Sequence, residues 1–296
     1  MTGPELESRT IEAGPVGYRT KAFEGRRLVT FFLIAFGYSW FWWGLFVFDV
    51  LKMPAGVGTQ DVEASPMLLL LAITPFGPTI AGFVVTAMTE GRAGVRRLWG
   101  RVWRDQRIGW LLVALTFYPA LRFIAHLVTR TLDGQAYPVL ANASVWMFIP
   151  PLIANTLISG AMSEEFGWRG YVLPRFQARW NALISSVVLG VIWASWHIPL
   201  FFIPEDEHSQ VFFWGWALAM IPTSVLITWV FNNANGSVLA AMLVHGAANA
   251  SGDLFWCCGS SSWHFYGVEL LAAVLIVVIF GPRTLVRRRP VPPCGR

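Results

Sequence analysis

The most regular feature of the sequence is the alternation of long apolar segments with short polar connections. Each apolar segment has about the 20 residues that a helix needs to cross a bilayer. Because backbone polar groups in lipid must be hydrogen-bonded within their own segment, these segments are expected to be helices. The pattern predicts an all-α polytopic membrane protein, a bundle of about eight transmembrane helices at 28–50, 67–88, 109–131, 144–163, 182–203, 211–231, 237–252 and 265–282.

The connection between the second and third predicted spans has a helical period of its own. Apolar residues recur three and four positions apart from Val95 to Trp103, and five arginines between Arg92 and Arg104 occupy the other faces. This pattern is typical of an amphipathic helix that lies on anionic headgroups. We therefore expect a cytoplasmic interfacial helix, with a specific regulatory lipid site as the alternative.

Composition supports a membrane protein and excludes other classes. Hydrophobic residues make up 55% of the 296 residues, charged residues only 13%, and the mean hydropathy is +0.53. An ordinary soluble protein has about 25% charged residues, so a soluble enzyme and a disordered chain are both excluded. The lipid bilayer is the expected surrounding, and nucleic acid is not an expected partner despite the net charge of +5.

Lysine and arginine are distributed unevenly over the connections. They concentrate in every second connection and at both ends, whereas the connections on the other side hold only Lys52 and Arg130. Because basic loops remain in the cytoplasm, we predict a multi-pass protein of the plasma membrane with both termini cytoplasmic. The predicted organisation is a cytoplasmic tail at 1–27, a single transmembrane helical domain at 28–282 and a basic cytoplasmic tail at 283–296.

A first group of ionisable residues lies at the end of the fourth span. Ionisable groups in membrane segments cost roughly 2.5–3.5 kcal/mol each and are functional candidates by default. Glu165 and Arg169 stand four residues apart with the acid first, the favourable order for an ion pair on a helix. Glu164 points about 100° away from that pair. An unpaired carboxylate that is removed from water holds a proton more readily, which suits Glu164 to the role of general base.

A second group lies in the fifth span. His197 follows Trp193 by one helical turn, and Pro199 cannot donate a backbone hydrogen bond to Ser195. The helix is therefore expected to kink beside the histidine and to open a polar cavity there. Taken alone, His197 is also consistent with a hydrogen-bonded core histidine.

A third group lies in the seventh span. His245 and Asn249 share one helix face, with only Gly and Ala between them, so that another backbone can approach closely. A neutral imidazole and a carboxamide supply hydrogen-bond donors without a buried charge, as a developing oxyanion requires. The alternative for this pair is hydrogen bonding between helices.

Together the three groups contain what water-mediated amide hydrolysis requires: a base, a partner that orients the water and an oxyanion hole. Other intramembrane protease chemistries fit less well. The chain has neither the Gly-x-Ser-Gly sequence of a rhomboid serine protease nor the Gly-x-Gly-Asp sequence of a presenilin aspartyl protease.

At these positions the chain resembles the CPBP family of intramembrane proteases, which contains the type II CAAX prenyl endopeptidases and bacterial proteins of bacteriocin processing and immunity. The family pattern is Glu-Glu-x-x-x-Arg, then Phe-x-x-x-His, then His-x-x-x-Asn, and the similarity runs from about 144 to 252, a CAAX-protease-like catalytic core. Trp193 stands where the family has Phe. The matching residues are Glu164, Glu165, Arg169, His197, His245 and Asn249.

The resemblance implies an endopeptidase that hydrolyses a peptide bond of a membrane-associated protein or peptide, with a lipidated substrate as one option. Trp193 is expected to alter the shape of the pocket more than its chemistry. The implied roles are water activation by Glu164 and His197, oxyanion stabilisation by His245 and Asn249, and bracing of the site by Glu165 and Arg169.

Two alternatives remain open. Such proteins are often labelled metalloproteases, yet the chain has no His-Glu-x-x-His sequence, and a glutamate that ligates zinc is not free to act as the base. We expect a mechanism without cofactor, with a divalent metal such as zinc at Glu164, His197 and His245 as the alternative. The alternative function is a non-proteolytic immunity or scaffold protein, or a proton-coupled transporter.

The depths of the two motifs set a geometric condition. His197 lies far inside the fifth span, whereas Glu164 ends the fourth span on its cytoplasmic side. For the two side chains to meet, residues 164–181 must fold back along a cavity, or the ends of these spans must differ by a turn or more. We expect the cavity to open to the cytoplasm, where the first motif and both termini are predicted.

Overall fold

Helices joined by short turns and connections make up the part of the chain that the computed structural model describes, which comprises residues 16–52, 66–103, 106–134, 145–158, 160–254 and 263–287. These residues contain no strand, and the predicted all-α class is confirmed. The α-helices are α1 (Val16–Val47), α2 (Pro66–Ile73), α3 (Gly77–Gly100), α4 (Ile108–Asp133), α5 (Ile149–Leu157), α6 (Ala161–Gly167), α7 (Leu173–Gln177), α8 (Ala182–Trp196), α9 (Phe213–Asn233), α10 (Val238–Leu254) and α11 (Trp263–Phe280).

Six helical stretches of the described chain are long and apolar enough to cross a membrane, and a shorter apolar helix spans Val238–Gly252. This finding is consistent with the predicted number of about eight, and the chain is a multi-pass membrane protein. The six stretches are Gly25–Val47, Leu69–Gly100, Ile108–Asp133, Ala182–Phe202, Phe213–Asn233 and Trp263–Phe280. Residues 1–15 and 288–296 of the two predicted tails lie outside the described residues, as does Arg104.

The fourth predicted span, 144–163, is not one continuous helix. The chain passes through a short 3-10 turn and α5, breaks after α5, and starts again in α6. Gly160 precedes α6 with φ −137° and ψ −108°, and a Cβ atom there would lie 2.4 Å from the Asn155 carbonyl oxygen. Only a glycine fits this break. Glu164 therefore stands in the first turns of a separate short helix and not at the end of a membrane span.

Glycines also bring the motif helices into close contact with their neighbours. A Cβ atom on Gly246 in α10 would lie 2.1 Å from Thr156 Oγ1 in α5, and one on Gly167 in α6 would lie 2.3 Å from the Pro78 carbonyl oxygen in α3. The close approach expected beside His245 is thus observed. Substitution of either glycine would force backbones apart at the site.

The amphipathic segment forms the last part of α3, beyond a kink at Gly91, which has φ +63°. Part of its apolar side packs against α6 inside the bundle. The Trp99 ring stacks on Phe166 of α6 with centroids 5.5 Å apart, and Arg101 Nη1 donates to the Gly170 carbonyl oxygen at 2.9 Å. This segment therefore holds the first motif helix in place, a role that the sequence pattern did not predict.

The arginine-rich ends of the helices meet at one end of the bundle. The backbone N–H of Val238 donates to the Arg101 carbonyl oxygen at 3.1 Å, and that of Ala182 donates to the Arg283 carbonyl oxygen at 2.9 Å. Helix α8 starts at this end and rises about 1.5 Å per residue, so that the segment 203–211 after it lies at the opposite end.

Candidate active site

A cavity of about 670 Å³ lies among the helices, and five of the residues singled out in the sequence line it. Two more, Glu165 and Arg169, are completely buried. The structure therefore places the three sequence motifs around one cavity. The five lining residues are Glu164, Trp193, His197, His245 and Asn249.

Glu164 is held on one side only. Its Oε2 atom accepts hydrogen bonds from Trp168 Nε1 at 3.1 Å and from Trp193 Nε1 at 2.5 Å. Its Oε1 atom has no hydrogen-bond partner among the described residues. Trp168 opens a π-helical turn, Trp168–Val172, that continues α6, and such turns are frequent at functional sites. One carboxylate oxygen is thus fixed by two indoles while the other remains available at the cavity wall.

Glu165 is the centre of a buried ion pair. Arg169 Nη1 lies 2.8 Å from Glu165 Oε1, with both side chains fully buried, as the four-residue spacing predicts. The same oxygen accepts a hydrogen bond from His245 Nδ1 at 2.8 Å. The Arg169 guanidinium also lies over the Trp193 ring, 4.6 Å from its centroid. Glu165 therefore links the first motif to the third, a connection that spacing alone could not reveal.

His197 sits where α8 ends. The helix stops at Trp196 and the chain continues as a 3-10 turn, Ile198–Phe202, so the break expected beside Pro199 is observed. His197 Nδ1 lies 2.8 Å from the Trp193 carbonyl oxygen. Because a carbonyl oxygen can only accept, Nδ1 carries the hydrogen and Nε2 presents a lone pair.

Trp193 connects the two predicted water-binding residues. Its indole N–H donates to Glu164 and its carbonyl oxygen accepts from His197. Glu164 and His197 thus reach the same cavity, so the geometric condition set by their depths is met. The Trp193 indole N–H makes a hydrogen bond to Glu164 that phenylalanine cannot make. Whether Trp193 affects shape more than chemistry stays a prediction.

The contact between His245 and Glu165 limits how a neutral His245 can donate to the cavity. Glu165 is paired with Arg169 and can only accept, so His245 Nδ1 carries the hydrogen of the 2.8 Å contact. A neutral His245 then has a lone pair on Nε2 and donates toward the cavity only as an imidazolium. Asn249 is exposed on the cavity wall, where its carboxamide can donate without a change of charge.

Sequence reasoning missed two further pairs of polar residues on the cavity wall. His208 Nδ1 lies 2.6 Å from Asp206 Oδ1, and the His208 ring stacks on His197 with centroids 5.7 Å apart. Glu269 accepts a hydrogen bond from the Tyr118 hydroxyl at 2.7 Å. Glu269 carried a usable signal, because it is an ionisable residue inside the eighth apolar segment. His208 stood in a polar loop and carried none.

The segment 205–208 forms one wall of the cavity, at the end of the bundle opposite to the arginine-rich ends. This position favours an opening at the end of the bundle away from the arginine-rich ends, and the side of the membrane on which the cavity opens stays a prediction. The prediction of a cytoplasmic opening assumed that Glu164 ends a continuous fourth span. In the described structure this span is broken between α5 and α6.

The three residues considered as metal ligands are held by other contacts in the structure. In the described part of the chain, no three side chains of His, Cys, Asp or Glu are grouped so that they could hold a metal ion. Glu164, His197 and His245 are instead fixed by Trp193 and Glu165.

A family model matches the region that contains this site, and two known proteins are similar to parts of the chain. Residues 144–251 match the family model described as type II CAAX prenyl endopeptidase Rce1-like. CAAX prenyl protease 2 of Methanococcus maripaludis is 28% identical over 137 residues, which are 44% of this chain and 50% of that protein. Lysostaphin resistance protein A of Staphylococcus haemolyticus is 24% identical over 163 residues, 53% of this chain and 44% of that protein.

The matches span about half the length of these two relatives. The descriptions of the family model and of the archaeal relative agree with the resemblance that the three motifs indicate. The family model covers all of the motif residues. Residues 144–251 of the chain are thus similar to the type II CAAX prenyl endopeptidase Rce1-like family.

Proposed function

We propose that this protein is an intramembrane endopeptidase that hydrolyses a peptide bond of a membrane-associated protein or peptide. The observation that carries the proposal is the carboxylate of Glu164, of which only Oε2 is hydrogen-bonded in the described structure. It lies on the cavity wall together with His197, His245 and Asn249. The Rce1-like match and the name of the archaeal relative support the same reaction class. A lipidated substrate remains an option within this proposal.

The proposed reaction begins with a water molecule between Glu164 and His197. The free oxygen of Glu164 takes a proton from the water as the water oxygen attacks the carbonyl carbon of the substrate, and the Nε2 lone pair of His197 orients the same water. Glu164 then gives the proton to the leaving nitrogen as the carbon–nitrogen bond breaks. The proton and the hydroxyl of water are thereby divided between the two products.

The oxyanion of the tetrahedral intermediate is proposed to bind Asn249 and His245. The Asn249 carboxamide donates directly. His245 donates from Nε2 as an imidazolium, whose charge the Glu165 carboxylate stabilises through Nδ1. The role of Arg169 is to pair with Glu165 and hold it in position. The assignment follows the order of the motifs but gives His245 a charge that the sequence had not suggested.

The Asn249→Ala variant distinguishes the proposed enzyme from a scaffold or a transporter. Its side chain has no hydrogen-bond partner in the described structure and is exposed on the cavity wall, so Asn249→Ala should leave the thermal unfolding temperature nearly unchanged. An enzyme should lose about 10²- to 10³-fold in turnover, as is typical when one oxyanion donor is removed. The measurement compares newly formed protein N-termini in membranes with the wild type and the variant, alongside unfolding in detergent.

A large drop in unfolding temperature with no change in N-termini would favour the scaffold. Solute counterflow in proteoliposomes that survives Asn249→Ala, without any protein cleavage, would favour the transporter. Either result would contradict the proposed endopeptidase.

Trp193→Phe is expected to lower turnover by about tenfold to a hundredfold, because a hydrogen bond to a charged group contributes about 1.5–3 kcal/mol. The variant keeps the ring, and Trp168 still holds Glu164. Trp229→Phe is the matched control, since Trp229 is a buried indole whose Nε1 has no partner in the described structure. Equal turnover of the two variants would show that the indole N–H does not position the base.

We also propose that the protein lies in the plasma membrane with both termini cytoplasmic and the cavity open on the other side. Ala178→Cys, beyond α7, should then react with an impermeant maleimide only in inside-out vesicles, and Gln210→Cys only from outside. Both positions are exposed. Cys257, Cys258 and Cys294 are first replaced by Ser. Labelling of both positions from the same side would contradict this arrangement.

A further inference from the structure

The cavity has a second polar wall that the proposed reaction does not use. It is formed by α4, α9 and α11 and contains Glu269, Tyr118, Thr223 and Arg122. Glu269 is only 2% exposed. It lies in Trp263–Phe280, one of the helices long enough to cross a membrane. A carboxylate in such a position is costly unless it has a function or a partner.

The two oxygens of Glu269 have different surroundings. Oε1 accepts a hydrogen bond from the Tyr118 hydroxyl at 2.7 Å and lies 2.7 Å from Thr223 Oγ1, whose proton is shared with the Ala219 carbonyl oxygen. Oε2 has no hydrogen-bond partner among the described residues, and the residue forms part of the cavity wall. The arrangement resembles that of Glu164, with one oxygen fixed and the other available.

Packing between helices does not explain an acid at this position. A glutamine would accept the same hydrogen bond from Tyr118 and tie α4 to α11 without a buried charge. The guanidinium of Arg122 makes no ion pair with Glu269; it lies over the Phe265 ring, 3.5 Å from the centroid. Arg122 therefore acts on the carboxylate only through its nearby charge, and no direct ion pair occupies Glu269 Oε2 among the described residues.

The whole cavity wall, like Glu269 itself, is rich in carboxylates. Besides three histidines, its described walls carry five carboxylates and one arginine, so that carboxylates outnumber basic side chains, and carboxylates on low-dielectric walls attract cations. Glu205 and Glu207 are exposed, at the wall formed by 205–208. The charged lining residues are Glu164, Glu205, Asp206, Glu207, Glu269 and Arg122.

We propose that Glu269 is a substrate-binding residue that pairs with a positively charged side chain, lysine or arginine, of the peptide in the cavity. The inference rests on the proposed endopeptidase function and specifies its substrate class. Glu269 and the catalytic residues line one cavity, so a peptide whose scissile bond lies at Glu164 extends its basic residue toward α11.

The test measures binding without turnover. Dodecapeptides of Ala, Leu and Ser, each with one Lys at a different position and an uncharged fluorophore, are compared with a matched set that has Gln instead. Binding is followed by fluorescence anisotropy to the Glu164→Gln protein and to the Glu164→Gln/Glu269→Gln protein in uncharged detergent. Asp133→Asn in the Glu164→Gln protein is the control, because Asp133 is an exposed carboxylate and is absent from the cavity wall.

At least one lysine peptide should bind the Glu164→Gln protein about tenfold more tightly than its glutamine counterpart. Glu269→Gln should remove that preference, and Asp133→Asn should keep it. Equal affinity for both sets, including no measurable binding of either, would overturn the inference, as would a preference that survives Glu269→Gln.

Two further outcomes separate the explanations. Phosphatidylethanolamine also carries an ammonium group, and its addition to the micelles should leave the lysine preference unchanged; loss of the preference would assign the site to a lipid headgroup and overturn the peptide assignment. A lysine preference without any cleavage dependent on Glu164 would reject the endopeptidase and keep the cation site. Cleavage dependent on Glu164 without the preference would reject the cation site alone.

Discussion

Glu164→Gln is expected to reduce peptide-bond hydrolysis by about a thousandfold while the protein still folds and inserts. The glutamine carbonyl can accept the same hydrogen bonds from Trp168 and Trp193 that Oε2 now accepts. What changes is the atom that faces the cavity, which becomes an amide nitrogen and cannot take a proton from water. The loss should therefore appear in the turnover number more than in substrate affinity.

The measurement combines a count of new protein N-termini in membranes with the unfolding temperature of purified protein. Asp49→Asn is the control, since Asp49 is a surface carboxylate paired with Lys52, with a side chain 75% exposed. Cleavage by Glu164→Gln at the wild-type rate, with an unchanged unfolding temperature, would remove Glu164 as the base. The same inactive variant can retain bound substrates and so serve to identify them.

The helical class and most span boundaries could be predicted because they follow from one physical requirement, the burial of backbone hydrogen bonds in lipid. Helix α4, for example, was predicted at 109–131 and runs over Ile108–Asp133. The fourth span could not be predicted, because its apolar residues have the same average hydropathy whether they form one helix or a broken one. The break depends on the contact of Gly160 with Asn155, which hydropathy does not record.

The candidate site follows a similar division. The ion pair of Glu165 with Arg169 is local, four residues apart on a helix, and was predictable from spacing. The contacts of Trp193 with Glu164 and of His245 with Glu165 join residues far apart in the chain. Only the fold determines those distances. The sequence could therefore identify the residues but not which of them form hydrogen bonds with each other.

Arg169→Met is expected to destabilise the protein by about 3–5 kcal/mol, the cost of breaking a buried ion pair by removing one partner. Arg169 and Glu165 are both 0% exposed, so the remaining carboxylate has no water to replace the guanidinium. The methionine fills a similar volume, so little of the loss comes from a cavity. For a chain of this size the loss corresponds to a fall of about 10 °C in the unfolding temperature.

The double variant Arg169→Met/Glu165→Gln separates charge from packing. It removes both charges and leaves a glutamine carbonyl to accept from His245 Nδ1, so part of the lost stability should return. Activity should not return, because a neutral residue 165 no longer stabilises the imidazolium proposed for His245. An unfolding temperature for the double variant equal to or below that of Arg169→Met would contradict the buried ion pair as the source of stability. Recovered stability together with recovered hydrolysis would instead show that His245 acts without its charge, and that Asn249 alone binds the oxyanion.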